Sequence, residues 1–344
     1  SVYLINDLPE KICVLNGTSI NSGENHTFYT HSILPYRSVC SSVSQVRTCT
    51  DGNLSGSDLY NISSCTVSPI NCSNLVGGDW IYVKGNSFFG TTDFCVMRFE
   101  ASNVGGVATS ETSNYPWRGI NFTDAKNKCS ALGDGYHLMT LNESTTISRI
   151  IENVSQNWIS NIIGQGYISI GHTDNGPSNA LNVVSTNDEF DQTNDRWSCD
   201  GFYKSLPANE DGSNLTGRAC NGQKRVLYIG IAAGEYGIWD FSGNVQEYVD
   251  YIGNTSYFES SSWSEWTSVS SPNLADYEKI WAGPKGNYNN LNGVGRYWNS
   301  GNGYVLTRGG DFNDGAYAGL YSTQFILQPS GSDANQIGFR CTYN

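Results

Sequence analysis

Charge is the first thing this sequence lacks. Only 15% of its 344 residues are charged, and the 19 Lys and Arg are outnumbered by 32 Asp and Glu, for a formal net charge of -13. Phosphate binding depends on clustered Lys and Arg, so the chain is a poor match for nucleic acid or an anionic membrane surface. No run of 18 apolar residues occurs, which excludes a hydropathy-type membrane span. Methionine is scarce (2), and the four histidines (His26, His31, His137, His172) form no i, i+3 or i+4 pair of the kind that clusters to hold iron. None of the ten cysteines lies in a Cys-x-x-Cys pair, which speaks against zinc ribbons and thioredoxin-like chemistry. No signal peptide is visible at Ser1-Val2-Tyr3; if the chain is exported, its signal lies outside this sequence.

What is abundant points another way. The chain holds 21 Tyr, 9 Trp and 38 Gly, a composition of many loops and of a Tyr/Ser/Gly/Asn-type contact surface. An even number of cysteines in a chain poor in charge and Met reads as disulfides formed in an oxidising setting. Ten Asn-x-Ser/Thr sequons are present, close to what composition alone would place, so their count carries little. The length suits two domains of ordinary size or one large one.

Residues 1–70 read as all-β. Short apolar runs (Ile12–Leu15, Val43–Cys49, Cys65–Val67) are parted by turn signals at Asn16-Gly17 and Asp51-Gly52-Asn53. Cys13, Cys40, Cys49 and Cys65 allow three pairings, and sequence does not choose among them. A small immunoglobulin-like β-sandwich acting as a stalk is the expectation. Residues 71–344 form the second domain. Trp80–Val83 and Phe94–Glu100 read as strands, bracketed by Cys72 and Cys95, which are placed to bridge. Thr123 is placed to cap a helix carrying Ala125, Cys129 and Leu132. Thr140-Leu141-Asn142-Glu143 is a capping box, followed by Ile147, Ile150, Ile151, Val154 and Trp158 at helical spacing. A loop-rich stretch follows, in which Cys199 and Cys220 are expected to pair.

Four segments in order then carry a resemblance: Phe122–Leu132; Gly135–Glu143; Trp239-Asp240-Phe241-Ser242-Gly243-Asn244-Val245-Gln246-Glu247-Tyr248; and Arg308-Gly309-Gly310 leading to Gly338-Phe339-Arg340-Cys341. Together, over about Trp80 to Tyr343, they resemble the formylglycine-generating-enzyme (sulfatase-modifying) branch of the C-type lectin fold. The resemblance implies an α+β domain with two helices on twisted antiparallel strands, and a bridge between Cys129 and Cys341. It also implies a calcium ion held by Asp240, by the Gly243 and Val245 carbonyls and by Glu247, hard oxygens of the kind Ca²⁺ prefers. The family's oxidases place two reactive, copper-binding cysteines just after the Arg-Gly-Gly motif. Here those positions carry Asp314 and Gly319, and no cysteine lies between Cys220 and Cys341, so the thiolate chemistry is absent. Gln328-Pro329-Ser330 departs from the sugar-binding triplets of lectins at its third position.

A second group with this fold lacks the cysteines: the variable proteins of diversity-generating retroelements, found in phages, bacteria, archaea and archaeal viruses. Their hypervariable segment lies between the Arg-Gly-Gly and Gly-Phe-Arg-Cys motifs, here 308–340. The positions that would vary are Asp311, Phe312, Asn313, Asp314, Ala316, Tyr317, Tyr321, Ser322, Thr323 and Phe325, all of residue types that adenine-directed mutagenesis produces. Trp298 and Tyr297, just upstream, are expected to join them. Tyr and Phe supply contact area at low entropic cost, while Asn, Asp and Ser supply adaptable hydrogen bonds. The resemblance thus implies a non-enzymatic protein at a cell or virion surface, binding a protein or cell-surface ligand through exposed residues of 308–340. A formylglycine-generating-type oxidase and a purely structural surface protein are the alternatives.

Overall fold

The computed structural model describes residues 11–111, 114–158, 160–168, 170, 226–230, 237–251, 260–268, 283–299, 305–311, 314–326 and 336–344. Cys199 and Cys220, Phe312 and Asn313 therefore lie outside the described residues. The chain divides into two compact units, Ser1–Ile70 and Asn71–Asn344. Its regular structure is mostly β, with two α-helices among the described residues. No helix among them is long and apolar enough to cross a membrane.

In the first unit, β1 (Cys13–Leu15) and β2 (Thr18–Ile20) form a hairpin around Asn16-Gly17, where both residues take positive φ (47° and 81°). Strands β3 (Asn25–Tyr29), β5 (Ser44–Thr50) and β6 (Asn53–Leu54) make a three-stranded antiparallel sheet. Strand β4 (Ile33–Leu34) pairs in parallel with β7 (Thr66–Val67). The pairing left open by sequence is Cys13–Cys49 and Cys40–Cys65. Cys13, Ile20, Phe28 and Cys49 form the core. The unit is all-β, but its described strands are short and one pair is parallel. They do not make the two facing antiparallel sheets of an immunoglobulin sandwich.

In the second unit, β8 (Trp80–Val83) and β9 (Phe94–Met97) form a hairpin, followed by a second from β10 (Ala101–Val104) and β11 (Val107–Ser110). Helix α1 (Phe122–Ser130) begins two residues earlier than Thr123 suggests: the Asn121 side chain accepts from the Asp124 N–H at 2.8 Å and is the cap. Strand β12 (Tyr136–Leu138) leads into α2 (Leu141–Glu152), whose capping box has both halves in place. Helix α2 ends at Glu152. Trp158 reaches the core through a 3-10 turn at Ser155–Asn157, not as a continuation of the helical stripe.

Strands β13 (Val226–Tyr228) and β14 (Gly237–Trp239) pair with each other. Strands β15 (Gln246–Val249), β16 (Ser260–Ser264), β17 (Tyr297–Asn299), β18 (Val305–Gly309), β19 (Gly319–Ile326) and β20 (Ile337–Phe339) build a six-stranded mixed sheet in the order β16-β17-β19-β18-β15-β20. Strand β21 (Cys341–Tyr343) joins the other sheet, β12-β21-β9-β8. One core links α2 to both sheets, with Ile147, Ile151, Trp158, Phe94, Leu306, Leu320 and Phe325 among its members.

Cys72–Cys95 and Cys129–Cys341 are also bonded, the latter closing a separation of 212 residues between α1 and β21. In the chain-entropy account such a loop closure stabilises by about 5 kcal/mol. The double variant Cys129→Ala/Cys341→Ala is accordingly expected to unfold at much lower denaturant, with a loss of that order in the free energy of unfolding. A loss below about 1 kcal/mol would show that the tie matters little.

Candidate functional site

The Arg-Gly-Gly segment is a structural joint. Arg308 is buried at the end of β18, donating Nη1 to Thr323 Oγ1 and Nη2 to the Leu320 carbonyl, both at 3.1 Å. Gly310 has φ +73°, and a Cβ there would lie 2.6 Å from the Ala318 Cα. At Gly319 a Cβ would approach the Gly295 nitrogen to 2.4 Å. Side chains at 310 and 319 would push the 311–318 turn off the sheet, so glycine is required at both positions by close backbone approach.

The expectation of an exposed display surface along this segment needs correction. Asp311, Tyr321, Ser322, Thr323 and Phe325 are all buried, at 3% exposure or less. The reason is topological: β19 lies between β17 and β18 inside the six-stranded sheet, and α2 packs on one face. Tyr321 donates its hydroxyl to Glu152 Oε2 at 2.6 Å, with the Arg149 and Arg308 guanidinia over its ring at 5.7 and 5.6 Å. Phe325 belongs to the main core. These side chains are framework. Asp314 is half-buried, and its Oδ2 accepts from the Asp311 N–H at 2.9 Å. The Ala316 side chain lies outside the described features.

Tyr317 is exposed, at 37%, on the 3-10 turn Gly315–Tyr317. Its ring stacks on Trp263 of β16, with centroids 5.7 Å apart and planes 25° apart. Trp263 in turn meets Trp298 of β17 at 6.2 Å. The Arg296 guanidinium sits over the Tyr317 ring at 4.6 Å and pairs with Glu265 at 2.6 Å. Two neighbouring aromatics, Trp266 and Tyr297, turn inward and are buried, so consecutive strand residues Tyr297 and Trp298 divide between core and outside. The result is a ledge of Trp263, Trp298, Tyr317 and Arg296 at the β16 edge of the sheet. It brings together two positions expected from sequence, Tyr317 and Trp298, and three that sequence reasoning passed over: Trp263, Glu265 and Arg296. The alternation in Trp263-Ser264-Glu265-Trp266 was the signal for the first two.

The residues expected to hold calcium do gather in one buried turn. Asp240, Gly243 and Asn244 take positive φ (47°, 77° and 60°), and Asp240, Val245 and Glu247 are nearly inaccessible. Two buried carboxylates at this turn accept from groups of the chain itself. Glu247 Oε1 accepts from Arg340 Nε at 2.7 Å. Glu100 accepts from Asn244 Nδ2 at 2.7 Å and from the Val245 N–H at 3.4 Å. Burial raises the Glu247 carboxyl above its ordinary value, Arg340 opposes that rise, and Asp240 adds to it. Among the described residues no three His, Cys, Asp or Glu side chains converge as a metal-holding set. One of the four expected ligands, Glu247, is thus engaged by a guanidinium of the chain itself.

No family model and no curated protein sequence matches the chain. Solved structures similar to it include three variants of the Major Tropism Determinant. The I1 variant is 15% identical with a TM-score of 0.27, the match covering 76% of this chain and 49% of that one. The U1 variant is 13% identical with a TM-score of 0.30, covering 97% and 78%. The P3c variant is 11% identical with a TM-score of 0.27, covering 96% and 78%. The chain spans about half the length of the I1 variant. A likeness this distant carries neither fold nor function across, so the functional reading rests on the residues above.

The Asp311–Asp314 pair has a measurable consequence. Burial, then the charge of Asp311, raise the Asp314 carboxyl from 3.8 to about 7, against the opposing Asp311 N–H. A carboxyl with a raised folded-state value binds its proton more tightly folded than unfolded. Its contribution to stability is therefore complete below pH 3.8 and is lost as pH rises through about 7. Asp314→Asn is expected to flatten the stability profile across that window, as read by urea midpoints; an unchanged slope would remove Asp314 as the titrating group.

Proposed function

We propose that this chain is a non-enzymatic ligand-binding protein that recognises a host or partner surface, protein or cell-surface in nature, through the Trp263–Tyr317–Trp298 ledge. The observation that carries the reading is that ledge. Three large aromatic rings and a planar cation stand partly open to solvent at a sheet edge, where rings of this kind would ordinarily be buried. Trp, Tyr and Arg dominate binding energy at protein interfaces, since each brings large area at small entropic cost. The Arg296–Glu265 pair keeps the ledge near neutral and holds the guanidinium over the Tyr317 ring.

We further propose that residues 71–344 are a C-type-lectin-like display domain of the formylglycine-generating-enzyme branch, working at an extracellular, cell or virion surface. Residues 308–340 are its retroelement-diversified segment, with the variable positions confined to the turn that carries Tyr317. Support comes from the residue types of that turn, from its anchoring by Gly310 and Gly319, and from the four disulfides among the described residues, which belong to an oxidising compartment. Asp314 and Gly319 at the oxidases' cysteine positions argue against the enzyme alternative.

Two measurements test this. Trp298→Ala and Tyr317→Ala are each expected to weaken binding to intact host cells or their surface fraction by about 30-fold, about 2 kcal/mol, with the melting temperature unchanged. Binding that survives both changes would displace the ledge as the site. Sequencing the gene across a natural population should show codon 317 varying while codons 321 and 325 stay constant, beside a reverse transcriptase gene and a near-repeat of codons 308–340. Without those neighbours the diversification reading fails, while the ledge reading stands or falls on the binding data.

A further inference from the structure

The sequons are not spread evenly. Five of the eight asparagines in residues 1–75 open an Asn-x-Ser/Thr triplet: Asn16, Asn25, Asn53, Asn61 and Asn71. All five are exposed. Asn16 sits at a hairpin turn with φ 47°, Asn25 opens β3, Asn53 opens β6, and Asn61 follows the loop after β6. At Asn71 the Ser73 N–H donates to Oδ1 at 2.9 Å, an Asx turn inside the triplet itself. The later triplets differ. Asn121 is the half-buried cap of α1, and Asn142 is half-buried with its amide on the Phe89 carbonyl and Ser144 fully buried. Among the described later triplets, only Asn153 is exposed.

A second observation is independent of the triplets. The first unit leaves large aliphatic side chains in water, and four of them stand beside the asparagines. Val14, at 62% exposure, is two residues before Asn16, and Leu59, at 74%, is two before Asn61. Val46, at 60%, lies opposite Thr27, the hydroxyl residue of the Asn25 triplet. Ile12 runs beside the turn that presents Asn53, since a Cβ on Gly52 would lie 3.9 Å from the Ile12 carbonyl. A unit of this size, with a core of Cys13, Ile20, Phe28 and Cys49, has little capacity to bury them.

We propose that Asn16, Asn25, Asn53, Asn61 and Asn71 are N-glycan acceptors, and that the sugars cover the exposed aliphatic residues next to them. The donor is a polyprenyl-phosphate-linked oligosaccharide. A C–N bond forms between the asparagine Nδ2 and the anomeric carbon, and the anomeric C–O bond to phosphate breaks. The phosphate leaves with that electron pair, and the amide proton passes to base. The hydroxyl at the third position is what makes each asparagine an acceptor, and disulfide formation places the chain in an oxidising setting. Nothing in this depends on the aromatic ledge.

The full chain, secreted from a eukaryotic host that supplies a dolichol-linked donor, tests it. Enzymatic glycan release in ¹⁸O water followed by peptide mapping should find labelled Asp at all five positions. Thr18→Ala, Thr27→Ala, Ser55→Ala, Ser63→Ala and Ser73→Ala, which leave every asparagine in place, should each remove one glycan. Glycan release from the folded protein should raise binding of a hydrophobic dye severalfold. A secreted chain bare at these five positions, or modified only at Asn121 and Asn142, overturns the proposal. Dye binding unchanged on release overturns the covering role.

Discussion

One buried guanidinium holds the second unit together. Arg340 is fully buried between β20 and β21, and its donors are all directed at fixed acceptors. Nε donates to Glu247 on β15 at 2.7 Å; Nη1 donates to the carbonyls of Met97 and Arg98 at 3.2 and 2.8 Å; Nη2 donates to the Trp239 carbonyl. That single side chain therefore joins β9, β14 and β15 to the chain terminus. A buried charge is costly unless paired and fully hydrogen-bonded, and the planar fork of arginine is suited to a site with one carboxylate and several carbonyls. Neighbouring Cys341 adds the covalent tie to α1. The two sheets meet at this point, because the chain leaves the six-stranded sheet at Phe339 and enters the four-stranded one at Cys341.

The same junction explains why the Asp240–Glu247 turn is as it is. Its left-handed residues bring Glu247 and the Trp239 carbonyl onto the guanidinium, and Glu100 closes the other side through Asn244 and the Val245 N–H. Glu247, one of the two acidic residues that suggest a cation site in the sequence, faces a cation that the chain itself supplies, Arg340. Covalent and electrostatic ties converge on the last residues of the chain, and the Arg-Gly-Gly joint is held from the opposite side by β15, whose Glu247 lies opposite Arg308.

Elements set by local rules could be read from the residues. The capping box at Thr140 and Glu143, the hairpin at Asn16-Gly17 and the strand at Trp80–Val83 are formed by neighbours in sequence, and they occur in place. The first helix was displaced by one cap because Asn121 and Thr123 are both acceptable cap residues, and only the Asp124 hydrogen bond distinguishes them. What could not be read was strand order. Nothing in the spacing of residues 297–326 says that β17 pairs in parallel with β19, and that pairing decides which residues are covered. Tyr321 and Phe325 look like contact residues by type and become core by topology. Trp263 and Arg296 look like loop residues and become the outer face.

Burial also sets the terms on which a diversified surface could exist here. A central strand closed on both faces tolerates little change, since replacing a buried Tyr or Phe leaves a cavity and unpaired polar partners. Tyr321 illustrates both costs, through its Glu152 bond and its place under two guanidinia. The turn between Gly310 and Gly319 is different: at both ends neighbouring backbone lies too close to admit a Cβ, and the Asp314 carboxylate ties it at the Asp311 N–H. Such a turn can change its outward residues without disturbing the sheet below it. Any tolerance for variation therefore belongs to the short arc around Tyr317, and the neighbouring Trp263 and Trp298 supply constant aromatic area against which a changing residue could act. A fixed aromatic platform beside one replaceable arc would recognise a family of related ligands more readily than unrelated ones, because most of the contact area stays the same from one variant to the next.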